Sequence, residues 1–249
     1  MRYPHDIQKG SRATLVTAYD AFFAQLLVEA GVDALLVGDS LGNMVQGHAT
    51  TTPVTIEHMV YHTEMVVRGA PHTLVIADMP YLSAEISVDN ALRHAGLLIK
   101  QGGARAVKVE THPRVIPMIE AMVASGIPVM AHIGLTPQWV NMLGGYKKQG
   151  TTPIGAAQLC ELGQQAADAG AFSVVLEHMP DDVAQVITQT LTIPTIGIGA
   201  GTHCDAQIRV LHDVLGLTKT LPAFITHPAS GRQDALAAIQ RFCTDTKAS

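Results

Sequence analysis

Along this chain short apolar runs alternate with longer segments of helical composition. The runs lie at Ala13–Tyr19, Ala34–Gly38, Thr73–Ala77, Ala106–Val109, Pro128–Ile133, Ser173–Leu176, Pro194–Ile198 and Asp213–Leu217. Their continuous apolar character predicts strands of a parallel sheet covered on both faces. Helices are predicted at Phe22–Ala30, Ile56–Arg68, Val88–Gln101, Arg114–Ala124, Ile154–Ala169, Asp182–Thr190, Asp205–Leu211 and Gln233–Phe242. Eight strand-helix units in 249 residues is the arithmetic of an α/β fold of the (β/α)8 TIM barrel type, one catalytic domain spanning residues 1–249. An open doubly wound sheet is the competing architecture. It normally carries a glycine-rich turn after its first strand, whereas here the first run ends Thr17-Ala18-Tyr19-Asp20.

Polar residues interrupt this pattern at one recurring place. Asp39, Asp78, Glu110 and Glu177 stand at the carboxyl ends of the second, third, fourth and sixth runs, and His132 stands near the end of the fifth. That end of a barrel strand is where catalytic groups sit. Side-chain alternation places Leu35 and Val37 with Asp39, and Leu74 and Ile76 with Asp78. It likewise groups Ala106 and Lys108 with Glu110, Met130 with His132, and Val175 with Glu177. With the apolar members inside the barrel, the polar ones converge on its mouth. Any one acid alone reads equally well as a helix N-cap or a solvated carboxylate, and Asp20, just before Ala21-Phe22-Phe23, fits the cap reading. Carboxylates crowded in a low-dielectric mouth repel one another unless a cation compensates. A divalent metal is therefore expected, and oxygen ligands without cysteine favour Mg²⁺ over Zn²⁺.

Composition narrows the partners. Apolar residues make up 47% and charged ones 15%, a balance suited to a buried core rather than to disorder. Sixteen basic against 21 acidic residues give a net charge of −5 without a basic run, which argues against nucleic acid or an anionic membrane. No stretch reaches the roughly eighteen apolar residues of a membrane span. Cys160, Cys204 and Cys243 are far apart and lack CxxC spacing, as expected of a cytoplasmic protein in a reducing compartment. His58 and His62 have ligand spacing but no glutamate between them, so a zinc helix is disfavoured. Glycines 197, 199 and 201 suit tight packing better than a phosphate loop. Trp139 fits stacking on a ring ligand and simple packing alike.

Larger blocks carry a resemblance. Thr17-Ala18-Tyr19-Asp20, Val37-Gly38-Asp39-Ser40-Leu41-Gly42, Val45-Gln46-Gly47-His48, Tyr61-His62-Thr63 and Arg68-Gly69-Ala70-Pro71 are followed by His132-Ile133-Gly134-Leu135-Thr136-Pro137-Gln138, Gly144-Gly145-Tyr146 and Ile196-Gly197-Ile198-Gly199-Ala200-Gly201. In that order, from Thr14 to Leu217, the chain resembles the ketopantoate hydroxymethyltransferase family. The resemblance implies a Mg²⁺-dependent barrel enzyme of pantothenate biosynthesis, usually a homodecamer. Such an enzyme moves a hydroxymethyl group from 5,10-methylenetetrahydrofolate to 3-methyl-2-oxobutanoate through a magnesium-stabilised enolate, giving 2-dehydropantoate (ketopantoate) and tetrahydrofolate. By matched motif, Asp39 and Asp78 would hold the metal, with Glu110 binding it directly or through water. Ser40 would help bind the keto acid's carboxylate, Lys108 would contact the substrate and Glu177 would be the catalytic base. His132, from its place at a strand end, joins Asp39, Ser40, Asp78 and Lys108 in the expected substrate-binding set. A magnesium-dependent lyase of the phosphoenolpyruvate mutase and isocitrate lyase group is the rival enzyme, and it would need no folate. A non-catalytic ligand-binding barrel is the other alternative.

Overall fold

Runs such as Ala34-Leu35-Leu36-Val37 and Leu74-Val75-Ile76-Ala77 combine β-branched and aliphatic side chains that pack on both faces of a pleated strand. The structure is a computed structural model describing residues 2–226 and 229–248. Its strands are β1 Thr14–Thr17, β2 Ala34–Val37, β3 Leu74–Asp78, β4 Ala106–Glu110, β5 Val129–Gly134, β6 Ser173–Glu177, β7 Thr195–Ile198 and β8 Ala206–Arg209. They close into a barrel in chain order, and consecutive neighbours pair in parallel from β1 to β8. At the closing seam the Gln207 amide donates to the Ala13 carbonyl (3.0 Å).

The helices are α1 Ala21–Glu29, α2 Leu41–Met44, α3 Ile56–Gly69, α4 Val88–Lys100, α5 Ile116–Ala124, α6 Val140–Leu143, α7 Pro153–Asp168, α8 Asp181–Thr190, α9 Leu211–Val214 and α10 Gly231–Ala248. Asp20 is the cap its sequence context suggests, its carboxylate accepting from the Phe23 amide at the start of α1 (2.8 Å). Thr55, Ser87 and Thr152 cap α3, α4 and α7 in the same way, each cap contributing about 1 kcal/mol. Short α2 and α6 are inserted after β2 and β5, at the end of the barrel where the polar residues gather. The chain divides into two compact units, residues 1–208 and residues 209–249. The second contains α9 and α10.

One buried cluster takes alternate residues from all eight strands: Leu15, Ala34, Leu36, Leu74, Ile76, Ala106, Met130, Val175, Ile196, Ala206 and Ile208. This is the barrel interior. Ile7 joins it from the amino-terminal segment, which Asp205 anchors by accepting from the Gly10 and Thr195 amides (2.7 and 2.9 Å). The cluster corrects one alternation argument. In β2 the inward residues are Ala34 and Leu36, so Leu35 and Val37 point to the helix side. The strand stops at Val37 and the chain turns at Gly38, where the Leu41 amide reaches back to the Gly38 carbonyl (3.1 Å). Asp39 therefore reaches the mouth through a turn rather than through strand parity.

The end of the barrel also differs from expectation. The eighth strand is Ala206–Arg209, inside the segment expected to be a helix, and the run at Asp213–Leu217 begins inside α9. Gln207 and Arg209 are good helix formers and mask the two-residue period of inward Ala206 and Ile208. Asp205 resembles a helix cap, but its carboxylate is taken by amides of other segments.

Candidate active site

Strand register lays the polar side chains next to one another. Asp78 pairs with Lys108 across β3 and β4, Glu110 with His132 across β4 and β5, and Gly134 with Glu177 across β5 and β6. Lys108 Nζ lies 2.9 Å from Asp78 Oδ1 and 3.1 Å from His132 Nδ1. His132 Nε2 lies 3.1 Å from Glu177 Oε2, approached obliquely to the ring N–H. A polar line thus runs from Asp78 through Lys108 and His132 to Glu177. Asp39 joins it through its backbone amide, which donates to Asp78 Oδ2 (3.3 Å). Asp39, Asp78, Lys108, Glu110 and His132 are buried, whereas the Glu177 side chain keeps 20% of its surface exposed. Ser40, beside Asp39, is contacted by Tyr19 Oη at 2.8 Å, and Tyr19 Oη in turn accepts from Thr17 Oγ1 (2.9 Å).

Gln138, in the loop after β5, closes the His132–Gln138 segment, and its residue type alone predicts no role. Buried, it donates through its amide nitrogen to Asp39 Oδ2 and to the Met79 carbonyl, both at 3.0 Å. Its backbone amide donates to both oxygens of Glu110 (3.2 and 3.1 Å). One residue therefore fixes two acids that come from different strand ends. The available signal was a polar residue closing the His132–Gln138 block in a loop on the active face.

Other singled-out residues have structural places. His58 Nδ1 accepts from the Thr55 amide at the start of α3 (3.2 Å), and His62 Nδ1 donates to the Tyr19 carbonyl (2.6 Å). A Cβ on Gly197 would lie 2.9 Å from Cys204 Sγ, a packing reason for glycine there. Trp139 lies against the His112 ring, with centroids 4.5 Å apart.

Three buried carboxylates face one ammonium, since Lys108 is the only buried lysine or arginine among the described residues. Burial, aided by the Asp39 charge and opposed by Lys108, lifts the Asp78 carboxyl to about 7. Burial and then Asp39 push Glu110 well above the ordinary carboxylate range. Burial alone would lower Lys108, but Asp78, Glu110 and Asp39 outweigh it and hold the ammonium charged. Burial and the neighbouring Lys108 lower His132, leaving the imidazole neutral at pH 7. The cluster is thus short of positive charge, and Asp78 Oδ1 accepts no well-directed hydrogen bond. Hard oxygen donors, a charge deficit and an open lone pair fit a small divalent cation. Among the described residues no group of three or more His, Cys, Asp or Glu side chains is placed to hold a metal ion by itself. Mg²⁺ characteristically takes one or two carboxylates and fills its remaining positions with substrate and water.

Comparison with known proteins follows this geometry. A profile of the ketopantoate hydroxymethyltransferase family matches residues 4–249. The chain belongs to this family. Among its relatives, the 3-methyl-2-oxobutanoate hydroxymethyltransferase of Pseudothermotoga lettingae is 48% identical over 234 residues, covering 94% of this chain and 88% of the relative. The enzyme of the same name from Acaryochloris marina is 46% identical over 241 residues, covering 96% and 93%. Ketopantoate hydroxymethyltransferases are one-carbon transferases, and this chain is one by family. Its fold is also that of phosphonopyruvate hydrolase, solved in complex with oxalate and Mg²⁺, at TM-score 0.63 and 13% identity over 96% of this chain and 83% of the other. At that identity the likeness concerns the fold alone. Among the described residues no helix is long and apolar enough to cross a membrane.

Proposed function

We propose that this chain converts 3-methyl-2-oxobutanoate, 5,10-methylenetetrahydrofolate and water to 2-dehydropantoate and tetrahydrofolate, with Mg²⁺ held at the barrel mouth. The observation that carries the reading is the buried Asp39–Asp78–Glu110 cluster with Lys108 as its one cation. Asp39 and Asp78 would hold the metal, and Glu110 would meet it directly or through water. When bound, Mg²⁺ supplies Lewis acidity toward the keto oxygen, where negative charge develops as the C3 proton leaves. Ser40 Oγ, oriented by Tyr19, receives the keto acid's carboxylate, and Lys108 adds a fixed positive charge beside it. Glu177, the partly exposed carboxylate of the line, takes the proton from C3. The carbon so released attacks the folate's methylene group to form the C–C bond; water then supplies the hydroxyl as the remaining C–N bond to the folate breaks and its nitrogen takes up a proton. Burial of the surrounding groups keeps water from the methylene group until the C–C bond has formed. The reading takes residues 1–249 as one catalytic domain of a cytoplasmic homodecamer.

The test follows keto-acid consumption and C3 proton exchange, with and without the folate and with and without Mg²⁺. Exchange that needs Mg²⁺ but not folate, with product formation that needs both, is expected. Folate-independent consumption of the keto acid would instead favour a lyase. Light scattering checks the assembly.

A further inference from the structure

The imidazole of His132 has a charged group against each of its nitrogens. We propose that His132 is a positioning residue for the proton-abstracting carboxylate rather than a substrate ligand, with Lys108 fixing the tautomer whose Nε2–H is turned toward Glu177. The inference rests on the reading of Glu177 as the base. An ammonium can only donate, so at 3.1 Å from Lys108 Nζ the His132 Nδ1 atom must be the acceptor. The ring proton is then on Nε2, the atom 3.1 Å from Glu177 Oε2. Nδ1 is thereby occupied by Lys108, and Nε2 faces the Glu177 carboxylate.

The ring is also held where it is. His132 is 2% exposed and sits inside β5, between β4 and β6. Thr111, just past the end of β4, grips its backbone, its amide donating to the His132 carbonyl (2.8 Å) and its Oγ1 accepting from the His132 amide (3.3 Å). Glu177, by contrast, is the most exposed member of the polar line. A partly exposed carboxylate turns about its side-chain torsions unless one oxygen is held. Holding Oε2 through a buried, immobile donor presents Oε1 to the C3 proton. The oblique approach in the ligand-free protein agrees with catalytic hydrogen bonds that tighten once substrate is seated.

The tautomer and a set of variants test this. Long-range ¹H–¹⁵N correlation NMR of the wild-type protein at neutral pH is expected to find His132 Nε2 protonated and Nδ1 bare; the opposite tautomer overturns the proposal. His132→Leu should slow kcat and C3 proton exchange by about 10²-fold while the keto-acid dissociation constant changes less than about twofold. His132→Gln, whose amide oxygen can accept from Lys108 while its NH₂ donates to Glu177, should recover most of that loss. Keto-acid affinity weakened in parallel in both variants would return His132 to the substrate-binding set and overturn the proposal. Glu177→Gln separates this inference from the one beneath it. Normal proton exchange in that variant removes the base reading, whatever the tautomer. Slow exchange that His132→Leu does not slow further in the double variant shows that His132 acts through Glu177, whereas multiplied losses show that it does not. Should His132→Leu fail to fold, the wild-type tautomer and the glutamine variant still decide.

Discussion

At the scale of single residues, the site is governed by the cost of burying charge. Asp78 is held in a place where its ionised form is disfavoured, and that disfavoured form is the one a metal would stabilise. Asp78→Asn is therefore expected to flatten the loss of stability of the metal-free protein as pH rises toward about 7 and above, because the amide does not ionise there, while Lys108 keeps Asp39 and Glu110 as charge partners. The same change should weaken Mg²⁺ binding by at least about tenfold and remove most activity. Thermal melts and calorimetry read the two effects separately, and unchanged Mg²⁺ affinity would take Asp78 out of the shell. Glu177→Gln should bind keto acid and metal nearly normally while C3 proton exchange falls by about 10²-fold or more. Near-normal exchange would transfer the base role to another group.

At the scale of elements, the site depends on the close approach of β5 and β6. Gly134 ends β5 at φ +98°, and a Cβ there would lie 2.2 Å from the Glu177 carbonyl and 2.8 Å from Met179 Cε. Neither the conformation nor the space admits a side chain. Gly134→Ala should cost about 2–4 kcal/mol in denaturant unfolding, combining left-handed backbone strain with displacement of the end of β6. Since Glu177 is the residue displaced, proton exchange should fall more than keto-acid affinity does. A variant with wild-type stability and exchange would mean that β5 and β6 are not packed this closely. The loop after β5 is equally specific, because Gln138 spans Asp39 and Glu110 from there.

At the scale of the whole molecule, the buried carboxylates make stability depend on pH and metal together. Asp78 titrates near about 7 in the folded protein against 3.8 as a free side chain, and Glu110 is shifted in the same direction. A carboxyl raised on folding contributes stability that is fully present below its unfolded pKa and is lost as pH rises through the folded one. His132 is shifted the other way, so its contribution is present above about 6.5 and is lost as pH falls. In chelator, the melting temperature should therefore decline between about pH 5 and pH 8 on account of the carboxyls. On the proposed reading Mg²⁺ would bind the ionised forms and release protons, so the gain in melting temperature from added Mg²⁺ should widen over the same interval. A gain independent of pH would mean that neither carboxyl titrates on binding.

Much of this was legible in the sequence because local chemistry carried it. Apolar runs mark β1 to β7, and Asp20 caps α1 because its own amides lie within reach. In β3, β4, β5 and β6 the two-residue period does carry Asp78, Lys108, Glu110, His132 and Glu177 to one face, since strand geometry is set by the chain itself. The family resemblance rested on the same short blocks. What only the tertiary structure decided depends on residues distant in sequence. Asp39 comes to Asp78 through a turn whose path no periodicity encodes. The eighth strand is Ala206–Arg209 because barrel closure against β1 and β7 selects it over a helix that propensity alone would allow. Gln138 becomes a clamp, and His132 gains a defined tautomer, only when separate strand ends meet at hydrogen-bond distance. Hydrogen bonding and charge burial are set by the neighbours that folding supplies, and most of those neighbours lie far along the chain.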